Sequence, residues 1–391
     1  MTKRNIQTRF VQLGNKSDSD TGAVNPPVYL STAYQHQGLG HSTGYDYSRT
    51  KNPTRALLEE GIADLEEGDS GYACSSGMAA IQLVLSLFQA GDALICSDDI
   101  YGGTHRILQR YADYYDIQTT YDTLTDVDTI EKLITDKTKA ILIETPTNPL
   151  MQEIDIEKVA KLAKKHNLLL IVDNTFLTPY FQQPITLGAD IVIHSATKYI
   201  GGHNDVLAGL VVAKGETLCE ELAAIHNDSG AVLSPFDSWL LIRGIKTLAL
   251  RMEKHEENAK KIAAYLETEA LITDVLYAGK GGMLSFRLEH SDMVDPFLQN
   301  LQLITFAESL GGVESFITYP ATQTHTAIPE EERIKRGVCN RLLRFSVGVE
   351  KADDLIEDLT QVFEALRKNA KEAITKAQAP VQQRTNWSTP Q

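Results

Sequence analysis

Leu168-Leu169-Leu170-Ile171-Val172-Asp173-Asn174-Thr175 and, shortly after it, Asp190-Ile191-Val192-Ile193-His194-Ser195-Ala196-Thr197-Lys198 decide the fold. Each is a short apolar run that opens abruptly into polar residues. Such runs are too short for a helix and lack the alternation of a half-exposed strand, so each fits a strand buried on both faces. Working outward, the same pattern occurs at Ala93-Leu94-Ile95-Cys96, Ala140-Ile141-Leu142-Ile143 and Leu210-Val211-Val212-Ala213. Helical spacing separates several of these runs, as from Ile156 to His166, and precedes them at Ala56 to Leu65 and Gly77 to Phe88. Strand and helix in alternation predict βαβ crossovers and a mostly parallel sheet, an α/β fold.

The 391 residues exceed a typical single core, and at roughly 100–200 residues per domain two or three are expected. From Ser234-Pro235-Phe236-Asp237 a helical pattern runs to about Glu267, long enough to bridge a domain boundary. Beyond it, strand-like Gly282 to Leu288 and Leu342 to Val347 flank helical stretches, and Leu355, Leu359, Val362, Phe363 and Leu366 form a helix stripe. These predict a smaller α+β domain. The first 50 or so residues, rich in Gly, Ser, Thr, Asn and Pro, read as an arm that packs on something else. The expected division is an arm at 1–54, a large domain at 55–250, a small domain at 251–367, and a polar, loosely held tail at 368–391.

Composition narrows the function. With 42% apolar and 23% charged residues the chain is of ordinary globular type. Its 37 basic and 52 acidic side chains leave −15, a charge that repels phosphate backbones and anionic lipid, so neither nucleic acid nor membrane is an expected partner. The basic N-terminal stretch is followed by no apolar segment, and no run approaches the ~20 apolar residues of a membrane span; the cytoplasm is the expected location. Cys74, Cys96, Cys219 and Cys339 form no C-x-x-C pair, and His194 and His203 lie too far apart for a helical metal pair, so neither disulfide nor metal is expected.

In an open parallel sheet ligands collect at the carboxyl ends of the strands. Asp173 follows one such run as a carboxylate costly to bury without a cation or several donors, and a protonated pyridine nitrogen would serve; it could equally cap the next turn. Lys198 follows another, where desolvation can prepare an amine for a Schiff base, although a lone lysine is more often a surface residue. At strand spacing Ser195 and Thr197 share one face, suited to a phosphate, and Lys198 takes the other. Ser75-Ser76-Gly77-Met78-Ala79-Ala80 leads small residues into a helix whose N-terminal N–H groups suit a phosphate, or need no ligand at all. Tyr101-Gly102-Gly103-Thr104 sets a ring beside flexible backbone, for stacking on a planar cofactor or for plain packing. Together they supply an amine, a carboxylate, a phosphate cup and a stacking ring, the needs of pyridoxal 5′-phosphate (PLP).

The sequence resembles the Cys/Met-metabolism PLP enzymes, particularly their bacterial cystathionine γ-synthase/O-acetylhomoserine thiolyase branch, from about Gly22 to about Leu366. The motifs that carry the likeness include Tyr47-Ser48-Arg49-Thr50-Lys51-Asn52-Pro53, Ser75-Ser76-Gly77-Met78, Glu144-Thr145-Pro146-Thr147-Asn148-Pro149, Val172-Asp173-Asn174-Thr175, Ser195-Ala196-Thr197-Lys198-Tyr199 and Ser309-Leu310-Gly311-Gly312-Val313-Glu314-Ser315. The resemblance implies PLP-dependent transferase fold type I, with a seven-stranded sheet in the large domain. It implies Lys198 as the lysine that binds the cofactor and shuttles protons, Asp173 on its ring nitrogen, Tyr101 stacked on it, and Gly77, Met78, Ser195 and Thr197 on its phosphate. Tyr47 and Arg49 would reach the phosphate of a neighbouring subunit, in a homotetramer built of active dimers. Arg344 would take the substrate carboxylate, assisted by Asn148 and Ser315, and Glu314 the distal amine of the substrate. The implied reaction is γ-replacement on an O-acylhomoserine by cysteine or sulfide, in methionine biosynthesis; cystathionine γ-lyase is the alternative.

Overall fold

The computed structural model describes residues 4–326 and 328–378. Among them twelve strands form two sheets. The first seven are β1 (Ser70–Cys74), β2 (Ala93–Ser97), β3 (Gln118–Asp122), β4 (Thr138–Glu144), β5 (Leu169–Asp173), β6 (Ile191–Ser195) and β7 (Gly209–Ala213), in the order β1-β7-β6-β5-β4-β2-β3. Neighbours from β6 to β3 run parallel, while β7 is antiparallel to both β6 and β1. The mostly parallel seven-stranded sheet is therefore present, with one reversed strand.

Its strands are apolar throughout because both faces are covered. Val192, Leu210 and Val212 join one core with Leu58, Ile62 and Leu65 of the helix Pro53–Glu66, whereas Ile191, Ile193 and Val211 face a second core on the other side. Alternate residues of one strand enter different cores, the period-2 consequence of the pleat. The helix Pro53–Glu66 starts where Asn52 Oδ1 accepts the N–H groups of Thr54 and Arg55 and proline needs no partner at the first helical position.

The remaining strands, β8 (Ile272–Leu276), β9 (Met283–Leu288), β10 (Thr305–Phe306), β11 (Phe316–Thr318) and β12 (Leu342–Ser346), form a second sheet in the order β10-β11-β12-β9-β8. Leu284, Phe286, Leu343 and Phe345 share a core with Leu355, Leu359, Val362, Phe363 and Leu366 of the helix Ala352–Gln378. That helix carries the chain through the start of the expected tail, as far as Gln378; positions 379–391 of the tail lie outside the described residues.

Two further expectations change. The helical pattern from Ser234 to Glu267 is two helices, Pro235–Lys246 and Leu248–Glu267, broken at Thr247. Buried Arg251 occupies the break, donating to Gly244 O at 2.8 Å and to Thr247 Oγ1 at 3.1 Å, so side-chain bonds replace the lost helical ones. Strands β1 and β3 carried no apolar run to mark them: β1 is Ser-Gly-Tyr-Ala-Cys, and β3, Gln-Thr-Thr-Tyr-Asp, is an edge strand. Among the described residues no helix is long and apolar enough to cross a membrane, and no group of three or more His, Cys, Asp or Glu is placed to hold a metal ion.

Candidate active site

At the carboxyl ends of β4, β5 and β6 lies a cavity of about 180 Å³, closed on its far side by residues of the second sheet region. Strand β5 ends on Asp173 and β6 on Ser195, and both line it, together with Ser76, Gly77, Met78, Tyr101, Glu144 and Asn148. Thr175, Thr197, Lys198, Glu308, Ser309, Thr324 and Arg344 complete its polar lining. The cations lining it are Lys198 and Arg344.

The chain leaves β6 at Ser195 and turns, Lys198 N–H donating to Ser195 O at 3.1 Å. The expected alternation of faces therefore stops at Ser195, and Ser195, Thr197 and Lys198 all line one cavity. Lys198 Nζ donates to Ser309 Oγ at 3.1 Å. Burial, reinforced by the positive charge of Arg344 and opposed by Glu308, pushes its amine down to about 8. The turn is held close by glycine: Gly311, at φ +76°, would bring a Cβ within 2.6 Å of Tyr199 N.

Asp173 caps the turn after β5 and also faces the cavity. Its Oδ1 accepts Thr175 N–H at 3.0 Å and Thr175 Oγ1–H at 2.5 Å, the turn-capping role, while the residue also lines the cavity. Thr175 Oγ1 in turn accepts Ser195 N–H at 2.9 Å, which ties the ends of β5 and β6 together. Burial raises the Asp173 carboxyl, and the two Thr175 bonds and the charge of His194 oppose that rise.

Behind Gly77 the helix Gly77–Leu85 begins, capped by Ser76 Oγ on Ala79 N–H at 3.1 Å. A Cβ on Gly77 would stand 2.9 Å from both Cβ and Oγ of Ser195, so glycine keeps open a cradle between the helix N-terminus and β6. Tyr101 N–H donates to Glu144 Oε2 at 2.9 Å, and a Cβ on Gly103 would collide with the Tyr101 ring, so the glycine makes room for that ring.

Arg344, on β12, is 2% exposed. Its Nη1 donates to Asn148 Oδ1, and its Nη2 to Ser309 O and Thr318 Oγ1, each at 3.1 Å. Nε is buried without a partner. Asn148 and Arg344 are thus brought together as the sequence led one to expect.

Glu314 and Ser315 are not brought to the cavity. Glu314 is exposed and accepts from Asn204 Nδ2 at 2.6 Å. Ser315 is buried elsewhere: its hydroxyl donates to Glu350 Oε2 at 2.9 Å and accepts Gly348 N–H at 2.8 Å, which commits it to the segment just after β12. Glu308 and Ser309 stand at the cavity in their place. The dipeptide Glu-Ser occurs twice in this segment, and only the first copy reaches the site. Glu144 was also missed, although it ends an apolar run as Asp173 does. Tyr47 and Arg49 lie outside their own chain's cavity; Tyr47 is half exposed, and Arg49 Nη1 donates to Asn227 Oδ1 at 2.8 Å.

Residues 7–364 match the family described as Cys/Met metabolism PLP-dependent enzyme. A cystathionine gamma-synthase/O-acetylhomoserine (thiol)-lyase of Bacillus subtilis is 61% identical over 367 residues, 94% of this chain and 98% of the relative. A cystathionine gamma-synthase of Haemophilus influenzae is 60% identical, over 93% of this chain and 98% of the relative. The crystal structure of a cystathionine gamma synthase from Xanthomonas oryzae pv. oryzae, in complex with aminoacrylate and cysteine, superposes with a TM-score of 0.91 at 40% identity, covering 94% of this chain and all of that one.

Proposed function

The chain belongs to the Cys/Met metabolism PLP-dependent enzymes, and from that premise we propose that it replaces the γ-substituent of an O-acylhomoserine with a thiol. Cysteine then gives cystathionine and sulfide gives homocysteine, a step of methionine biosynthesis. The observation that carries this reading is one cavity holding a desolvated amine, a half-buried carboxylate and a fully buried guanidinium, at the strand ends of a fold shared with relatives named for that chemistry.

The residues present fit PLP. Gly77 leaves open the cradle that a Cβ would fill, and the unpartnered Nε of Arg344 suits an anionic guest. When bound, the cofactor supplies an electron sink that lets protons leave the carbons beside the substrate amine. Lys198 would hold the cofactor through Nζ. In part unprotonated at neutral pH, that amine also takes and returns protons at the substrate carbon. Asp173 would meet the cofactor's ring nitrogen, Tyr101 would lie against its ring, and Gly77, Met78, Ser195 and Thr197 would hold its phosphate. Arg344, oriented by Asn148, binds the substrate carboxylate. Glu308, at the cavity where Glu314 is not, meets the amine of the incoming cysteine.

The arm at 1–54 reaches a neighbouring subunit, where Tyr47 and Arg49 complete the phosphate site. Both are exposed and neither lines its own cavity, where among the described residues the lining cations are Lys198 and Arg344; this supports the reading. Domains at 55–250 and 251–367 then carry the cofactor and the carboxylate site, in a homotetramer. Four free thiols fit the reducing cytoplasm. PLP-loaded protein given O-acetylhomoserine and sulfide should release homocysteine and acetate, and Lys198→Ala should abolish that release; turnover surviving in this variant contradicts the assignment.

A further inference from the structure

Glu144 ends β4 directly opposite Asp173 on β5, and both line the cavity. Neighbouring strands lie about 4.8 Å apart, so the two carboxyl groups enter one cavity side by side. Glu144 is 5% exposed, and Asp99, on the loop after β2, is a second buried carboxyl nearby. Facing Glu144 from the other elements are the N–H of Tyr101, which donates to Oε2, and Arg344 of β12, whose Nη atoms already donate to Asn148, Ser309 and Thr318. A buried carboxyl and a half-buried one side by side do not both ionise cheaply, so a proton stays with one of them. Hydrogen bonding favours Asp173 as the anion: its Oδ1 accepts two donors from Thr175, whereas Glu144 has the single N–H of Tyr101. In agreement, burial first, then the charge of Asp173 and, less strongly, that of Asp99 hold the Glu144 carboxyl well above the usual range, against the opposing hydrogen bond from Tyr101 N–H and the weaker influence of Arg344.

We propose that Glu144 is a positioning residue that works as a neutral carboxylic acid, fixing the backbone of Tyr101 while leaving Asp173 the anion for the ring nitrogen and Arg344 free for the substrate carboxylate. An ionised Glu144 would instead pair with Arg344 ahead of the substrate and add a second negative charge beside Asp173. The inference rests on the cofactor reading of Asp173 and Tyr101 given above.

Its test uses PLP-loaded wild type, Glu144→Gln and Glu144→Ala. An infrared difference spectrum in D₂O at neutral pH, wild type minus Glu144→Gln, should contain the C=O stretch of a protonated carboxyl. The amide copies the shape and acceptor oxygen of the neutral acid, so Glu144→Gln should hold PLP within about threefold of wild type, whereas Glu144→Ala, which strands the Tyr101 N–H, should bind it roughly tenfold or more weakly. A carboxylate band in place of the acid band, or a fall of Glu144→Gln to the level of Glu144→Ala, overturns the proposal. Wild-type protein that takes up no PLP would instead overturn the cofactor reading, which the reconstitution reports before any spectrum is taken.

Discussion

Glu308→Gln and Glu314→Gln form a pair of substitutions that separates what the structure places at the site from what the sequence motif offers. Glu308 lines the cavity, and its charge is felt by Lys198 and Arg344, whereas Glu314 is bonded to Asn204 outside it. Cysteine brings an ammonium group to the site and sulfide does not. At ~4 Å and an effective dielectric constant near 20 the Coulomb attraction is about 4 kcal/mol, but Glu308 is exposed, and exposed pairs retain only about 0.2–1 kcal/mol once solvent screening is counted. Taking about 1 kcal/mol, Glu308→Gln should raise KM for cysteine roughly fivefold while KM for sulfide stays within about twofold. Glu314→Gln loses one exposed hydrogen bond and should change neither. Initial rates with O-acetylhomoserine, varying cysteine and sulfide in turn, measure both. A cysteine effect in Glu314→Gln alone would refute the placement, and an equal effect of Glu308→Gln on both thiols would show that its charge acts on Lys198 and Arg344 rather than on the amine.

Four more outcomes follow from the same cavity. With its amine at about 8, Lys198 is roughly one-quarter neutral at a pH near 7.5, against about one in a thousand for an unshifted lysine, so PLP uptake by the apoenzyme should quicken as pH rises through about 8 and then level off; a midpoint at the ordinary lysine value contradicts the desolvation argument. Because the folded value lies below the unfolded one, this group's favourable contribution to stability is present above about 10.5 and is lost as pH falls through about 8, which denaturant titrations at several pH values would follow. Gly77→Ala places a Cβ 2.9 Å from Ser195, and overpacking of about 1–3 kcal/mol at the cradle should weaken PLP about fivefold to a hundredfold, read by equilibrium titration of the cofactor. Arg344→Lys replaces a planar fork with a point charge at a fully buried site, so KM for the amino-acid donor should rise on the order of thirtyfold while the absorbance of the bound cofactor is retained.

The fold was legible where burial on both faces wrote itself into the sequence, as in β4 to β7. It was hidden where strands were small or lay at an edge, as in β1 and β3, because neither calls for an apolar run. The break at Thr247 was invisible to periodicity, since Leu241, Ile245, Leu248 and Met252 keep helical spacing through it and only the tertiary bonds of Arg251 reveal it. At the site, Asp173, Lys198 and the Ser75–Ala80 segment could be found because polar residues at strand ends and small residues at a helix start are costly or conspicuous there. Which copy of Glu-Ser faces the cavity depends on how residues 304–315 wind past Lys198, and spacing carries no such information. The side of the chain that Lys198 takes depended likewise on a turn beginning at Ser195, where strand alternation no longer applies.

The most direct test of the central claim is mass spectrometry of products from PLP-loaded protein, given O-acetylhomoserine with cysteine in one reaction and cystathionine alone in another. Cystathionine accumulating in the first with little breakdown in the second is the predicted result. Cystathionine consumed in the second, with cysteine and 2-oxobutyrate released and little synthesis in the first, would contradict γ-replacement and make the enzyme a γ-lyase.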